Sequence, residues 1–208
     1  MTQADWDHYA HISYSPIIRA HYFFTVWRNY RILLSGLDIP KGQLLELGSS
    51  TGQTSLRLAK KFQFIPTLVD HSKQALSMAV FTYFQAKINV ITHLENVLRL
   101  NLYKSFDFVH SHGLLEHFTE KEQIIVFKNH VKHVKVGGWL ICWVPTPDLF
   151  YKINKMYLVG TGQWIFGYEK PLSLKEFLNL FYKFKLNIVK TRHVPGWLGV
   201  AAKKILFD

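Results

Sequence analysis

A single cysteine, Cys142, stands among 208 residues. No disulfide can close within the chain, and a reducing, cytoplasmic home is expected. Long apolar runs are missing too: none reaches the roughly 18 to 20 uncharged residues that a membrane-spanning helix needs. The opening residues, MTQADWDHYA, hold acids and no basic stretch leading into an apolar core, so no secretory signal is expected. There is no Gly/Ser linker, low-complexity tract or internal repeat, and the length is too short for two ordinary cores; one domain over 1–208 is expected. Acids are scarce, 14 against 25 Lys and Arg, for a formal net charge of +11. Such an excess favours polyanionic partners in general. Here the cations are scattered as single residues or pairs such as Lys60-Lys61 and Lys203-Lys204, so a solvated basic surface is expected, with nucleic acid as the competing partner.

What the chain does have is 49% hydrophobic residues against 19% charged, which excludes disorder, arranged as short apolar runs alternating with helical stretches. An aromatic-rich helical segment from Ser15 to Ser35 forms an N-terminal cap over 1–40, closed by the turn Asp38-Ile39-Pro40-Lys41-Gly42. Strands follow at Gln43–Leu47, Phe64–Val69, Ile88–Thr92, Phe106–His110 and Gly138–Val144, and helices at Gln53–Lys61, Ser72–Gln85 and Glu120–Lys135. Such alternation implies right-handed crossovers and a parallel sheet covered on both faces. The end departs from it. After a helix at Leu174–Phe184, the strands Leu186–His193 and Gly199–Ile205 are separated only by a Pro-Gly turn, so this pair is expected to be antiparallel. The expected fold is α/β: a Rossmann-like, seven-stranded, mainly parallel sheet with a C-terminal antiparallel hairpin and helices on both faces.

Between the first strand and its helix lies Glu46-Leu47-Gly48-Ser49-Ser50-Thr51-Gly52. Small residues let the backbone bend and approach a ligand, and the helix start offers main-chain donors. A dinucleotide fingerprint places its third glycine five positions after the first, and that position is Gln53. The segment instead resembles motif I of the class I S-adenosylmethionine-dependent methyltransferases, acid-x-Gly-x-Gly-x-Gly, with Glu46, Gly48 and Gly52 matching and Ser50 replacing the middle glycine. The serine either weakens cofactor binding or is tolerated if its conformation is ordinary. Asp70, closing the second strand, is similar to the family's ribose-binding acid, with His71 beside it; a helix cap for the segment starting near Ser72 is the alternative. Glu95-Asn96-Val97-Leu98-Arg99-Leu100 resembles the adenine-contacting Gly-Asp-x-x-x-Leu, with Asn96 where the acid stands; a turn asparagine is the alternative. The run from Phe106 to His117 resembles the fourth-strand motif of the small-molecule branch, the ubiquinone- and menaquinone-biosynthesis-like enzymes of methyltransferase types 11 and 23. There the backbone around His110, Ser111 and His112 is implied to face the methionine end of the cofactor. The pair Gly137-Gly138 leading into Trp139–Pro145 resembles the fifth strand.

The resemblance implies S-adenosyl-L-methionine as cofactor, S-adenosyl-L-homocysteine as product, and Glu46, Gly48, Ser49, Ser50, Gly52, Asp70, His71, Asn96, Val97, His110 and Ser111 as binding residues. Methyl transfer is an in-line displacement, so a protein chiefly aligns its reactants, and such positioning supplies about 7 to 11 kcal/mol. A hydroxyl acceptor must also lose a proton; His112 and His117 are the candidate bases, with a structural role for His117 as the alternative. No metal is expected, because His110, His112 and His117 have no nearby cysteine, and His130 and His133 lack the His-Glu-x-x-His pattern. Tyr83 and Lys87 echo the catalytic pair of short-chain dehydrogenases but lie too early in the chain. The acceptor side is expected from an insert at 146–172 carrying Phe150, Tyr151, Tyr157, Trp164, Phe166 and Tyr168, either as a lid for an apolar or aromatic small molecule or as a satellite core. Tyr9, Tyr14 and Tyr22 are further candidates to close over the cofactor. Two other functions compete. A nucleic-acid methyltransferase is motivated by the charge, although His110-Ser111-His112-Gly113 replaces the Asn/Asp-Pro-Pro-aromatic signature and Cys142 lies inside a strand. A cofactor-binding or partner-activating protein of the same fold that has lost catalysis is motivated by Ser50 and Asn96.

Overall fold

The computed structural model describes residues 6–9 and 16–206. After a helical turn at 6–9, the elements run α1 (Pro16–Leu34), β1 (Gly42–Leu47), α2 (Gln53–Phe62), β2 (Phe64–Asp70), α3 (Lys73–Gln85), β3 (Ile91–Leu94) and β4 (Phe106–His112). A 3-10 turn at Leu115–His117 leads to α4 (Glu120–His133), β5 (Val134–Pro145), α5 (Leu149–Gly160), α6 (Leu174–Lys183), β6 (Asn187–Val194) and β7 (Trp197–Lys203). Seven strands form one sheet in the order β3-β2-β1-β4-β5-β7-β6. The first five run parallel, and β7 lies antiparallel between β5 and β6. This is the expected architecture.

Strand alternation explains the two-sided core. Successive side chains of a strand point to opposite faces, and the central strands are apolar at nearly every position. Leu45, Val109, Leu140 and Cys142 join one buried cluster with Phe127 of α4 and Phe177 and Phe181 of α6. Their neighbours Leu44, Phe108, Ile141 and Trp143 join another, with Tyr30 and Leu33 of α1 and Leu58 of α2. Capping boxes open α4 (Thr119 with Glu122) and α6 (Ser173 with Glu176), each satisfying two otherwise unpaired backbone donors.

Some boundaries differ from the sequence expectation. β3 begins three residues late because Ile88 donates its N–H to Tyr83 O at the end of α3, where Lys87 turns left-handed at φ 55°. β5 begins four residues early: Val134 pairs with Phe106, and an irregularity lets Trp139 pair with Phe108. The insert holds a helix, α5, which was not expected; Asp148 caps it by accepting from Tyr151 N at 2.8 Å. No helix among the described residues is long and apolar enough to cross a membrane. After β3 the chain crosses to the other side of β1, so β1 and β4 are adjacent and their carboxyl ends diverge into different loops. In open α/β sheets, that reversal point is where ligands bind.

Candidate active site

A cleft of about 830 Å³ opens at this point, walled by the loops after β1, β2, β3 and β4, by residues of 6–9 and α1, and by the insert 146–172. Its floor is the bend after β1. Gly48 and Ser49 donate to Val69 O at 2.9 and 3.1 Å, and Gly52, at φ 64°, starts α2. A β-carbon on Gly52 would lie 2.6 Å from Leu68 Cδ1, so that position supports the bend from below and does not line the cleft. Ser50 does not take an ordinary conformation: its φ is 45°, in the left-handed region that disfavours side chains by about 1 to 2 kcal/mol. Its N–H donates to Asp70 Oδ2 at 2.7 Å, which holds the bend in place. The other Asp70 oxygen accepts from Ser72 N at 2.9 Å. The cap of α3 is Ser72 itself, whose hydroxyl accepts from Ala75 N. Asp70 therefore ties the β1 and β2 loops together at the cleft wall, with His71 next to it. Burial raises its pKa against these backbone donors.

Glu46 is almost fully buried, its carboxyl pushed up to about 8 by burial, and its Oε2 has no hydrogen-bond partner. Ser49 Oγ, Gln53 Nε2, Glu116 Oε2 and Trp143 Nε1 are likewise buried and unpartnered, and all five residues line the cleft. Buried polar atoms are normally satisfied. A concentration of unsatisfied ones around one cavity marks a place where a polar ligand completes the bonding. Asn96 and Val97 also line the cleft. Asn96 Oδ1 accepts from Leu98 N at 2.9 Å, as a turn asparagine does, and keeps a second lone pair.

Like Gly52, His110 and Ser111 do not line the cleft. His110 is fully buried, with Nδ1 at 3.1 Å from Tyr30 Oη and Nε2 at 2.8 Å from Ser55 Oγ. Ser111 Oγ pairs with His130 Nε2 at 2.9 Å. Both side chains are committed to internal partners.

Residues 44–138 match a family described as a methyltransferase domain. Over that stretch the chain is similar to a methyltransferase domain, and its fold is that of S-adenosylmethionine-dependent methyltransferases. No curated protein sequence matches it. Among solved structures, a S-adenosylmethionine-dependent methyltransferase from Clostridium acetobutylicum superposes with a TM-score of 0.72 at 15% identity, covering 97% of this chain and 99% of that one. Magnesium protoporphyrin IX methyltransferase from Synechocystis, with bound S-adenosylhomocysteine, gives 0.72 at 14% identity over 90% and 85%. The N-methyltransferase NodS from Bradyrhizobium japonicum, in complex with S-adenosylhomocysteine, gives 0.66 at 15% over 93% and 90%.

The remaining cleft walls are aromatic. Phe150, Tyr151, Trp164 and Phe166 of the insert line them, whereas Tyr157 and Tyr168 are exposed and do not. Trp6 packs edge-on against His117, ring centroids 4.7 Å apart, and Tyr9 lies 5.5 Å from Phe166. Tyr14 and the side chain of Tyr22 lie outside the described residues. His112 stacks on Trp197 at 4.5 Å. Burial pulls the pKa of both His112 and His117 down to about 4. At neutral pH both are uncharged but weakly basic, which suits them poorly to taking a hydroxyl proton. Cys142 is fully buried and its thiol is pushed up to about 12, so it is no nucleophile. Among the described residues no group of three His, Cys, Asp or Glu is placed to hold a metal ion.

Two acids that sequence reasoning passed over complete the cleft: Glu116 and Glu169. Glu116 carried a signal, since it precedes His117 in the fourth-strand motif. Glu169 carried none, because the path of the insert decides its place.

Proposed function

We propose that this methyltransferase transfers its methyl group to a small-molecule acceptor bound between the cofactor and the aromatic wall of residues 6–9 and 146–172. The unpartnered Glu46 oxygen at the end of β1 carries the reading, because it offers an acceptor to the ammonium group of the cofactor's methionine moiety. Main-chain groups of the bend from Gly48 to Thr51 line that moiety, Asp70 accepts from the ribose hydroxyls, and Asn96 and Val97 border the adenine. When bound, the cofactor supplies a sulfonium methyl group; the protein holds an acceptor in line with it and keeps water out.

Glu46 makes this testable. Its carboxyl is protonated in the empty cleft below about pH 8 and ionises when it meets an ammonium. Binding therefore releases a proton, and affinity rises with pH, by up to about tenfold per unit, until the pH passes the carboxyl's own value. Calorimetry with S-adenosylhomocysteine between pH 6 and 8.5 should show that slope, and Glu46→Gln should flatten it. A flat wild-type profile would remove Glu46 from the cofactor site.

The acceptor class has a separate check. Four acids line the cleft, Glu46, Asp70, Glu116 and Glu169, against one arginine, Arg57, which disfavours a polyanion. Turnover of a small acceptor should be nearly indifferent to salt between 50 and 200 mM. A nucleic-acid enzyme would lose affinity by orders of magnitude over that range, roughly 10³-fold or more for six or more phosphate contacts.

A further inference from the structure

Acids make up most of the charged residues lining the cleft, although the whole chain has 25 Lys and Arg and 14 Asp and Glu. On the reading above, Glu46 and Asp70 serve the cofactor. Glu116 and Glu169 remain, on the wall formed by the turn after β4 and the insert. Glu169 is already answered: the Tyr151 hydroxyl donates to it and the Lys155 ammonium stands nearby. Glu116 is not. It is 2% exposed and its Oε2 has no partner. Its Oε1 lies 3.8 Å from His117 Nε2, and His117 Nδ1 lies 3.3 Å from the carbonyl of Tyr168. The carbonyl can only accept, so the ring proton belongs on Nδ1, and Nε2 presents a lone pair. The unpartnered Glu116 oxygen and a bare imidazole nitrogen thus stand on one wall of the cleft, not bonded to each other. The same wall already receives one ammonium. Lys155 Nζ sits 4.4 Å over the Trp164 ring and 3.3 Å from the Tyr151 hydroxyl, and Trp164 packs on Phe166 at 5.2 Å, beside His117 and Trp6.

We propose that the acceptor is an amine bearing an apolar or aromatic body, received as its ammonium by the Glu116 carboxylate and His117 Nε2 within the aromatic wall of Trp6, Trp164 and Phe166. This rests on the cofactor reading given above. An ammonium brings several N–H donors to the two unmatched acceptors, and its charge is favoured over aromatic faces. An anionic acceptor would instead add charge to two buried carboxyl groups. Burial raises the Glu116 pKa further, with Glu169 second, so the pair is poised to ionise only when a cation arrives. For transfer the bound nitrogen gives one proton to the Glu116 carboxylate. Its freed lone pair then forms the N–C bond as the carbon–sulfur pair returns to sulfur, leaving a thioether and a methylated ammonium.

The test uses binding to the intact protein saturated with S-adenosylhomocysteine, with three matched probes: 2-phenylethylamine, 2-phenylethanol and phenylacetate. The amine should bind about tenfold or more tightly than the alcohol, with phenylacetate weakest. Glu116→Gln should erase that preference while leaving S-adenosylhomocysteine affinity unchanged. An alcohol or carboxylate that binds as tightly as the amine overturns the inference, as does a preference that survives Glu116→Gln. If Glu116→Gln does not fold, the wild-type ratio of amine to alcohol decides alone. Failure of S-adenosylhomocysteine itself to bind would sink the cofactor reading; its binding without an amine preference sinks only the inference.

Discussion

Asp70→Ala should weaken S-adenosylhomocysteine binding by roughly 1.5 to 3 kcal/mol, which is about 10- to 150-fold, because on the proposed reading a charge-assisted acceptor for two ribose hydroxyls is lost. From sequence alone the fold would be expected to survive untouched. The structure adds a second cost. Asp70 accepts from Ser50 N at 2.7 Å and from Ser72 N at 2.9 Å, and the first of these bonds holds a serine at φ 45°. Alanine leaves both backbone donors without that acceptor, so thermal unfolding should also show a loss of about 1 to 3 kcal/mol. Asp70→Asn, which keeps one carbonyl oxygen, should recover part of the stability and less of the affinity. An unchanged affinity in Asp70→Ala would mean that a different acid holds the sugar.

The second large effect is far from the motifs. Gly199 in β7 pairs with Trp143 in β5, and a β-carbon there would lie 2.5 to 2.6 Å from three atoms of the buried indole. An indole ring is rigid and lies in a packed core, so Gly199→Ala should cost about 3 kcal/mol through overpacking. Because Trp143 also lines the cleft, the displaced ring should weaken S-adenosylhomocysteine or acceptor binding even in the molecules that remain folded. Chemical denaturation measures the first effect and calorimetry the second. A variant as stable as the parent would show that the indole can move freely, contrary to its burial.

The contrast between these two positions shows which parts of the protein were legible. Asp70 could be singled out because it ends an apolar strand at a fixed interval after a small-residue bend, and that pattern is local. Gly199 could not, because the need for glycine comes from a strand 56 positions earlier in the chain (199 minus 143). The same division runs through the cleft. Glu46, Gly48, Ser49, Ser50, Asp70, His71, Asn96 and Val97 sit at strand ends that alternation locates, and the structure gathers them around one cavity. His110 and Ser111 lie in the same motif, yet their side chains face inward to Tyr30, Ser55 and His130, partners that only packing supplies. α5, which the sequence reading did not include, buries none of its residues fully.

Sequence by itself determined the alternation of strands and helices, the antiparallel end of the sheet and the small-residue bend after β1, since periodicity, turn chemistry and small residues act over a few positions. Tertiary structure alone decided that Ser50 is held left-handed by Asp70, that Glu116 meets His117 and the aromatic insert, and that the charge inside the cleft is opposite to that of the whole chain. Those outcomes depend on which distant groups are brought together after desolvation, and composition carries no record of that.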